Sequence, residues 1–226
     1  MLDLKYCILP GKFMPPGLEL EYQRAYETFQ SCWGEAFREL FGPDYVLYSN
    51  DFTRQDYIHT LFAGDKCIAL ACLREIDLRN PADLDDSWFK PWKRSHLTNF
   101  ARAGHRRCLV DSYFTVHKDY RRSALPGQES VGHILGCLTV LYQLDLGVPL
   151  MFGMTRNDRS MNKLTARWGT EVVETNIIHN NTPTDLIVFT TEKIRAAMKT
   201  FPPIVFDLYQ NKRDYYAQGA QHARAA

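Results

Sequence analysis

From Glu19 onward, apolar positions recur at three- and four-residue steps: Tyr22, Ala25, Tyr26, Phe29, Cys32, Trp33, Ala36, Phe37 and Leu40. That spacing lays them along one stripe of a helix, and Gly42-Pro43 ends it. Ahead of the helix, residues 1–9 alternate weakly as a first strand does, and a Gly/Pro-rich loop runs through Gly17. Two apolar runs follow, Asp56 to Ala63 and Lys66 to Asp77, separated by Gly64-Asp65. A short turn between such runs predicts an antiparallel hairpin. The rhythm breaks from Arg79 to Arg107, where Pro81, Pro91, several charges and the cluster Trp88, Phe89 and Trp92 fall together. This stretch reads as an insertion with one short helix, an apolar lid or a piece of a substrate pocket.

Cys108 to His117, rich in Val, Tyr, Phe and Thr, is a strand. A polar loop, Lys118 to Gln128, leads to a helix from about Glu129 to Leu146 with Val131, Ile134, Leu135, Leu138, Leu141 and Tyr142 as its buried stripe. Val148 to Thr155 predicts a strand, Arg159 to Trp168 a short helix capped by Gly169, and 170–179 with 184–191 a last strand pair across Asn180-Asn181-Thr182-Pro183. The last 25 or so residues read as a short helix and a polar, frayed tail. The fold class expected is α/β (α+β, mixed): a central, largely antiparallel mixed sheet flanked by helices, with an insertion between strands 3 and 4. No repeat and no shift of composition marks a boundary. A single domain over 1–226 is therefore expected, with the insertion at about 79–107 and the tail at about 212–226.

Composition narrows the function classes. The chain has 226 residues, 45% of them hydrophobic, enough for one buried core. Lys and Arg total 27 against 26 Asp and Glu, so a nucleic-acid coat or a polybasic membrane binder is not expected. No apolar run approaches the ~20 residues that cross a bilayer. The opening Met-Leu-Asp-Leu-Lys-Tyr lacks the layout of a signal peptide, so a cytoplasmic protein is expected. The six cysteines form no CxxC pair and sit mostly in apolar runs, as buried reduced thiols do. The seven histidines form no HxxxH or HExxH pair, so no metal site is expected.

Two segments carry candidate chemistry. The first is Leu109-Val-Asp-Ser-Tyr-Phe-Thr-Val-His-Lys-Asp-Tyr-Arg-Arg122, leading into Gly127-Gln-Glu-Ser-Val-Gly132 and an apolar helix. A helix N-terminus favours anions, glycines let backbone approach phosphate, and Arg121 and Arg122 add fixed charge. The second is Asn157-Asp-Arg-Ser-Met-Asn-Lys-Leu-Thr-Ala-Arg-Trp-Gly169. Together with the order of elements between about Asp56 and Phe189, these segments resemble the Gcn5-related N-acetyltransferase (GNAT) superfamily. The first is similar to that family's fourth strand, its V-x-P-x-Y-R ending and its phosphate-binding turn; the second is similar to its fourth helix. The family's Q/R-x-x-G-x-G/A turn is normally compact, whereas Ser123-Ala-Leu-Pro126 intervenes here and Gly127 and Gly132 stand five apart.

The resemblance implies direct transfer of an acyl group from a thioester to an amine, with no permanently bound cofactor. The co-substrate is acyl-CoA or the phosphopantetheine thioester of an acyl carrier protein, and the acceptor a small molecule; a homodimer is compatible with it. The pantetheine arm would run along Phe114, Thr115, Val116 and His117. The pyrophosphate would meet Arg121, Arg122, Gly127, Gln128, Ser130 and Gly132, and Asn157 and Asn162 would orient the arm. The family's usual tyrosine, four residues before the closing glycine, is replaced by Thr165 here, whose hydroxyl is too short and too weakly acidic to substitute simply. Asp111-Ser-Tyr-Phe-Thr-Val116 is also faintly similar to the Glu-Ser-Arg-Phe-Val strand of acyl-homoserine lactone and N-acyl amino acid synthases, with Asp111 for the Glu and Tyr113 for the Arg.

Asp111, set among apolar neighbours, is the first candidate for a general base, and Glu75 on the preceding strand the second. An ion pair with Arg74 or Arg107 is the competing role for either. His117 has a suitable pKa but stands near the expected phosphates. Cys108 or Cys137 as an acylated nucleophile has no His or Asp at a recognisable spacing. The rival function classes are a non-catalytic GNAT-like module that binds CoA or an acyl carrier as sensor or scaffold, and an unrelated α/β protein with a phosphate ligand at 121–132.

Overall fold

The computed structural model describes residues 3–121 and 129–217. The sequence forms two compact units, each taking several pieces of chain. One comprises the described residues of Met1–Arg74, Ser112–Thr139 and Pro202–Ala226; the other comprises Glu75–Asp111 and Val140–Phe201.

The first unit is built on strands β1 (Leu4–Pro10), β2 (Tyr57–Ala63) and the first part of β3 (Lys66–Asp77). β1 pairs antiparallel with β2, from Leu4↔Ala63 to Pro10↔Tyr57, and β2 pairs antiparallel with β3 across the Gly64-Asp65 turn. Helix α1 (Glu19–Phe41) covers these strands: Ala25 and Phe29 meet Leu9, Ile58, Phe62, Leu70 and Cys72. Thr28 Oγ1 ties the helix down by donating to the Cys67 carbonyl at 3.0 Å. A one-turn helix α2 (Asn50–Thr53), absent from the sequence expectation, puts Phe52 into the same core. Near the C-terminus, α8 (Pro203–Gln210) precedes β8 (Arg213–Asp214), which lies parallel to β1. The expected polar tail therefore begins with a strand, because Arg213 and Asp214 find an open edge of β1; residues 218–226 lie outside the described residues.

The second unit contains β5 (Leu150–Arg156), β6 (Thr170–His179), β7 (Thr182–Thr190) and the first part of β4 (Arg107–Val116). β5 pairs antiparallel with β7, and β7 with β6. The β6–β7 turn is a two-residue one: Asn180 and Asn181 take positive φ of 49° and 57°, as a tight hairpin requires of its central residues. β4 pairs parallel with β5 from Cys108↔Leu150 to Val110↔Phe152, and Asp111 is the first residue past that paired stretch. Helix α5 (Val131–Asp145) is buried from Val131 through Gln143, on all sides rather than along a stripe. α6 (Met161–Ala166) follows β5, and α7 (Thr191–Ala197), which the sequence reading missed, follows β7.

The insertion holds three helical pieces rather than one. Asn80 caps α3 (Pro81–Leu84) by accepting from the Ala82 N–H, Asp86 caps a 3-10 turn at Ser87–Phe89 in the same way, and α4 (Arg94–Arg102) completes it. Side-chain caps at Asn80 and Asp86, with Pro81 at a first helical turn, break the stretch into short units. Phe89, Trp92 and Leu97 are buried in a core with Val110, Phe152 and Leu186. The aromatic cluster is thus part of a core as well as of the surface above it. The strands form a mixed, largely antiparallel sheet flanked by helices, as the sequence led one to expect.

Candidate active site

β4 is irregular at its centre. Tyr113 has φ 55°, a left-handed conformation that costs a bulky residue strain. Neighbours hold it there. Its ring packs edge-on against Phe29 and Trp33, each with centroids 5.2–5.3 Å away. Trp33 Nε1 donates to Thr115 Oγ1 at 2.7 Å, and that hydroxyl donates to the Tyr113 carbonyl at 2.6 Å. Burial, reinforced by the charge of Asp51, raises the pKa of the Tyr113 phenol, so it stays protonated at neutral pH.

Past the kink, the backbone expected to meet a pantetheine arm is partly occupied. The His117 N–H donates to the Ile68 carbonyl at 2.8 Å, and Arg121 Nε donates to the Val116 carbonyl at 3.1 Å. Arg121 is thus folded back on the strand end. The His117 pKa is lowered, first by burial and then by Lys66, with Asp119 opposing. Lys66 Nζ in turn pairs with Asp119 at 2.9 Å. At the start of α5, Ser130 Oγ accepts from the His133 N–H at 3.1 Å, a side-chain cap. An α-helix leaves its first N–H groups without intrahelical partners, so those of Val131 and Gly132 head this one. Phe114, Thr115 and Val116 follow the kink directly; Arg122, Gly127 and Gln128 lie outside the described residues.

The two candidate bases differ sharply. Asp111 Oδ1 is buried and has no hydrogen-bond partner among the described residues. Burial alone lifts its pKa from 3.8 to about 7. Glu75 instead faces Arg107 in a fork, with Nε to Oε2 and Nη2 to Oε1 both at 2.7 Å. Arg107 also donates to the Leu146 carbonyl at 3.2 Å, fixing the pair in place.

Asn157 and Asn162 converge on a carboxylate that sequence reasoning did not single out. Asp185 is 5% exposed. Its Oδ1 accepts from Asn157 Nδ2 at 2.7 Å and from the Asn176 N–H at 2.8 Å, and its Oδ2 from Asn162 Nδ2 at 3.5 Å. Bulges in β6 and a positive φ of 52° at Asn176 turn that N–H inward. The amide donors expected for a pantetheine arm are therefore engaged internally, although Asn157 Oδ1 is buried without a partner among the described residues. Thr165, at the usual tyrosine position, is buried and donates to the Asn162 carbonyl at 3.2 Å.

All six cysteines are reduced and buried. Burial raises Cys108 to about 12, which removes its thiolate at neutral pH. Cys137 does have a histidine nearby: His133, one helical turn earlier, has Nε2 3.7 Å from its Sγ, with both side chains sealed from solvent. Among the described residues no group of three or more His, Cys, Asp or Glu could hold a metal ion, and no helix is long and apolar enough to cross a membrane.

The overall fold is GNAT-like, shared with synthases and an N-acetyltransferase among solved structures. Among solved structures, the chain is similar to an N-acyl amino acid synthase from uncultured soil microbes, with TM-score 0.59 and 9% identity over 89% of this chain and 100% of that one. It is also similar to a CoA-dependent acyl-homoserine lactone synthase with SAM and isopentyl-CoA, with TM-score 0.57 and 10% identity over 94% and 93%. A third likeness is to an acyl-CoA N-acyltransferase from Pseudomonas aeruginosa, with TM-score 0.54 and 9% identity over 83% and 100%. No protein-family profile matches the sequence, and no curated protein sequence matches it.

Proposed function

We propose that this protein is an N-acyltransferase that moves an acyl group from acyl-CoA or an acyl carrier protein to the amine of a small acceptor. The observation that carries this reading is Asp111, a partly buried residue whose Oδ1 is buried without a partner among the described residues and whose pKa is raised to about 7. A group poised there accepts a proton at neutral pH and releases it readily. The names of three structures similar to this chain, an N-acyl amino acid synthase, an acyl-homoserine lactone synthase and an acyl-CoA N-acyltransferase, support the class of reaction.

In this mechanism the amine lone pair attacks the thioester carbonyl carbon, and the carbonyl π pair moves onto oxygen. Collapse of that oxyanion expels the thiolate, which takes a proton from water. Asp111 takes the proton that the attacking nitrogen must lose. Backbone of β4 after the Tyr113 kink lies along the donor arm, and Arg121 leaves the Val116 carbonyl to meet the pyrophosphate with Ser130 and Gly132. Holding donor and amine together supplies much of the rate without a covalent enzyme intermediate.

A binding-only module is the second reading, favoured by Thr165 standing where a thiolate-protonating tyrosine would be. Calorimetric titration with acetyl-CoA, a long-chain acyl-CoA and free CoA, run beside thiol-release assays with a panel of amines, separates the two. Saturable binding plus amine-dependent thiol release supports the transferase. Binding without release supports the module, and no binding leaves only a carrier-protein donor, to be tested with acylated carrier.

A further inference from the structure

The kink in β4 is held by a chain of hydrogen bonds that begins on another element. Trp33 projects from α1, which the Thr28 hydroxyl and the core around Phe29 fasten to the strands. An indole N–H can only donate, and this one donates to Thr115 Oγ1 at 2.7 Å. With that lone pair taken, the Thr115 hydroxyl proton turns to the Tyr113 carbonyl at 2.6 Å. Thr115 is 4% exposed, so water has little access to its hydroxyl.

The ring contacts and the hydrogen bonds fix different things. Phe29 and Trp33 clasp the Tyr113 ring, which sets where the side chain lies. The Thr115 bond holds the backbone carbonyl, and with it the rigid peptide plane that joins Tyr113 to Phe114. A φ of 55° is unfavourable for a tyrosine, and a strand released from it would relax towards the extended region. Four residues on, the His117 N–H is bonded to the Ile68 carbonyl of β3. The backbone between Tyr113 and His117 is thus pinned at both ends, by the relay from α1 at one and by β3 at the other.

We propose that Trp33 and Thr115 are positioning residues for the acyl donor: their relay sets the kink, and the kink sets the course of the Phe114–His117 backbone along which the thioester arm lies. The proposal rests on the acyl-transfer reading and adds to it a side chain of α1 that acts on the donor only through β4.

Thr115→Val keeps the shape and removes the hydroxyl. In the thiol-release assay its donor KM should rise about tenfold, the loss of one buried hydrogen bond passed on to binding. The acceptor KM and the pH at half-maximal rate should stay put. Thr115→Ser restores the hydroxyl and should recover most of the loss. Trp33→Phe keeps a ring but removes the N–H, and should impose a similar loss. Adding it to Thr115→Val should cost little more, because both changes break one chain. The 15N-labelled chain has four tryptophans and so four indole N–H resonances. The Trp33 resonance, the one missing in Trp33→Phe, should move upfield in Thr115→Val and return in Thr115→Ser. Unmoved positions of the other three show that the variants fold, and if Thr115→Val does not fold, Trp33→Phe carries the same test. An unchanged donor KM in Thr115→Val or Trp33→Phe, a Thr115→Ser no better than Thr115→Val, or losses that add in full would each overturn the proposal and leave acyl transfer standing. A wild type that releases no thiol from any donor would remove the acyl-transfer reading, and this proposal with it.

Discussion

Two aspartates of the same compact unit each hold carboxylate oxygen away from water, yet their surroundings differ in kind. Asp185, at the start of the apolar run of β7, is met by three N–H donors: Asn157, Asn162 and the backbone of Asn176. Asp111, in the middle of β4, has an oxygen with no donor at all among the described residues. A carboxylate that is fully bonded is a structural node, holding the ends of β5, α6 and β6 to β7. One that is buried bare pays for its ionisation and titrates near neutrality. Burial alone does not set the two aspartates apart; the missing donor does.

The largest expected effect is on turnover. Asp111→Asn keeps shape and removes the proposed base, so thiol release should fall by about 10²–10⁴-fold while donor affinity stays within twofold of wild type. In the wild type, the rate should climb with pH through about 7, because only the carboxylate accepts the proton. A variant with full activity, or a pH profile flat from 6 to 8, would remove Asp111 from the mechanism. The matching change on the other side, Asp185→Ala, strands the Asn157 and Asn176 donors. It should cost about 3 kcal/mol of stability in denaturant unfolding. Loss of activity there should follow loss of fold, so any Asp185→Ala protein that remains folded keeps the wild-type pH profile.

How much of this contrast can be read from sequence depends on how local each signal is. The β2–β3 hairpin is legible because two apolar runs flank Gly64-Asp65, and α1 because its stripe continues for six turns. Asp111 is legible as a buried acid from its apolar neighbours on one strand. Asp185 carried a weaker signal of the same sort, a lone charge opening Leu-Ile-Val-Phe, but its donors stand 28, 23 and 9 residues away. Nothing in the local pattern brings them together. α2, α7 and β8 escaped for a similar reason: each is one turn or one strand pair long and is fixed by tertiary contact rather than by periodicity. The Tyr113 kink likewise shows no glycine or asparagine to announce it; packing on Phe29 and Trp33 imposes it.

Stability against pH sharpens the comparison at a smaller scale. The folded chain holds the Asp111 proton up to about pH 7, whereas the unfolded chain releases it near 3.8. Stability from this group is therefore full below the unfolded value and is lost as pH rises towards 7, levelling off above it. Between pH 5 and 8 wild type should lose about 2 kcal/mol that Asp111→Asn does not lose. Parallel curves for the two proteins would mean that Asp111 reaches solvent or a donor, and its neutral-pH chemistry would go with them.

Glu75 gives the smallest effect and the cleanest discrimination. It is the other candidate base, but it is forked by Arg107 and partly open to water. An ion pair in that setting is worth about 1 kcal/mol or less, and salt screens it. Glu75→Gln should therefore shift the unfolding midpoint only slightly, by an amount that shrinks further at high ionic strength. Turnover should stay near the wild-type value, since both oxygens of this carboxylate already accept from the Arg107 guanidinium. If Glu75→Gln instead abolished turnover while Asp111→Asn spared it, the roles of the bare and the paired carboxylate would be reversed. The rule drawn from the two aspartates would then fail in this protein.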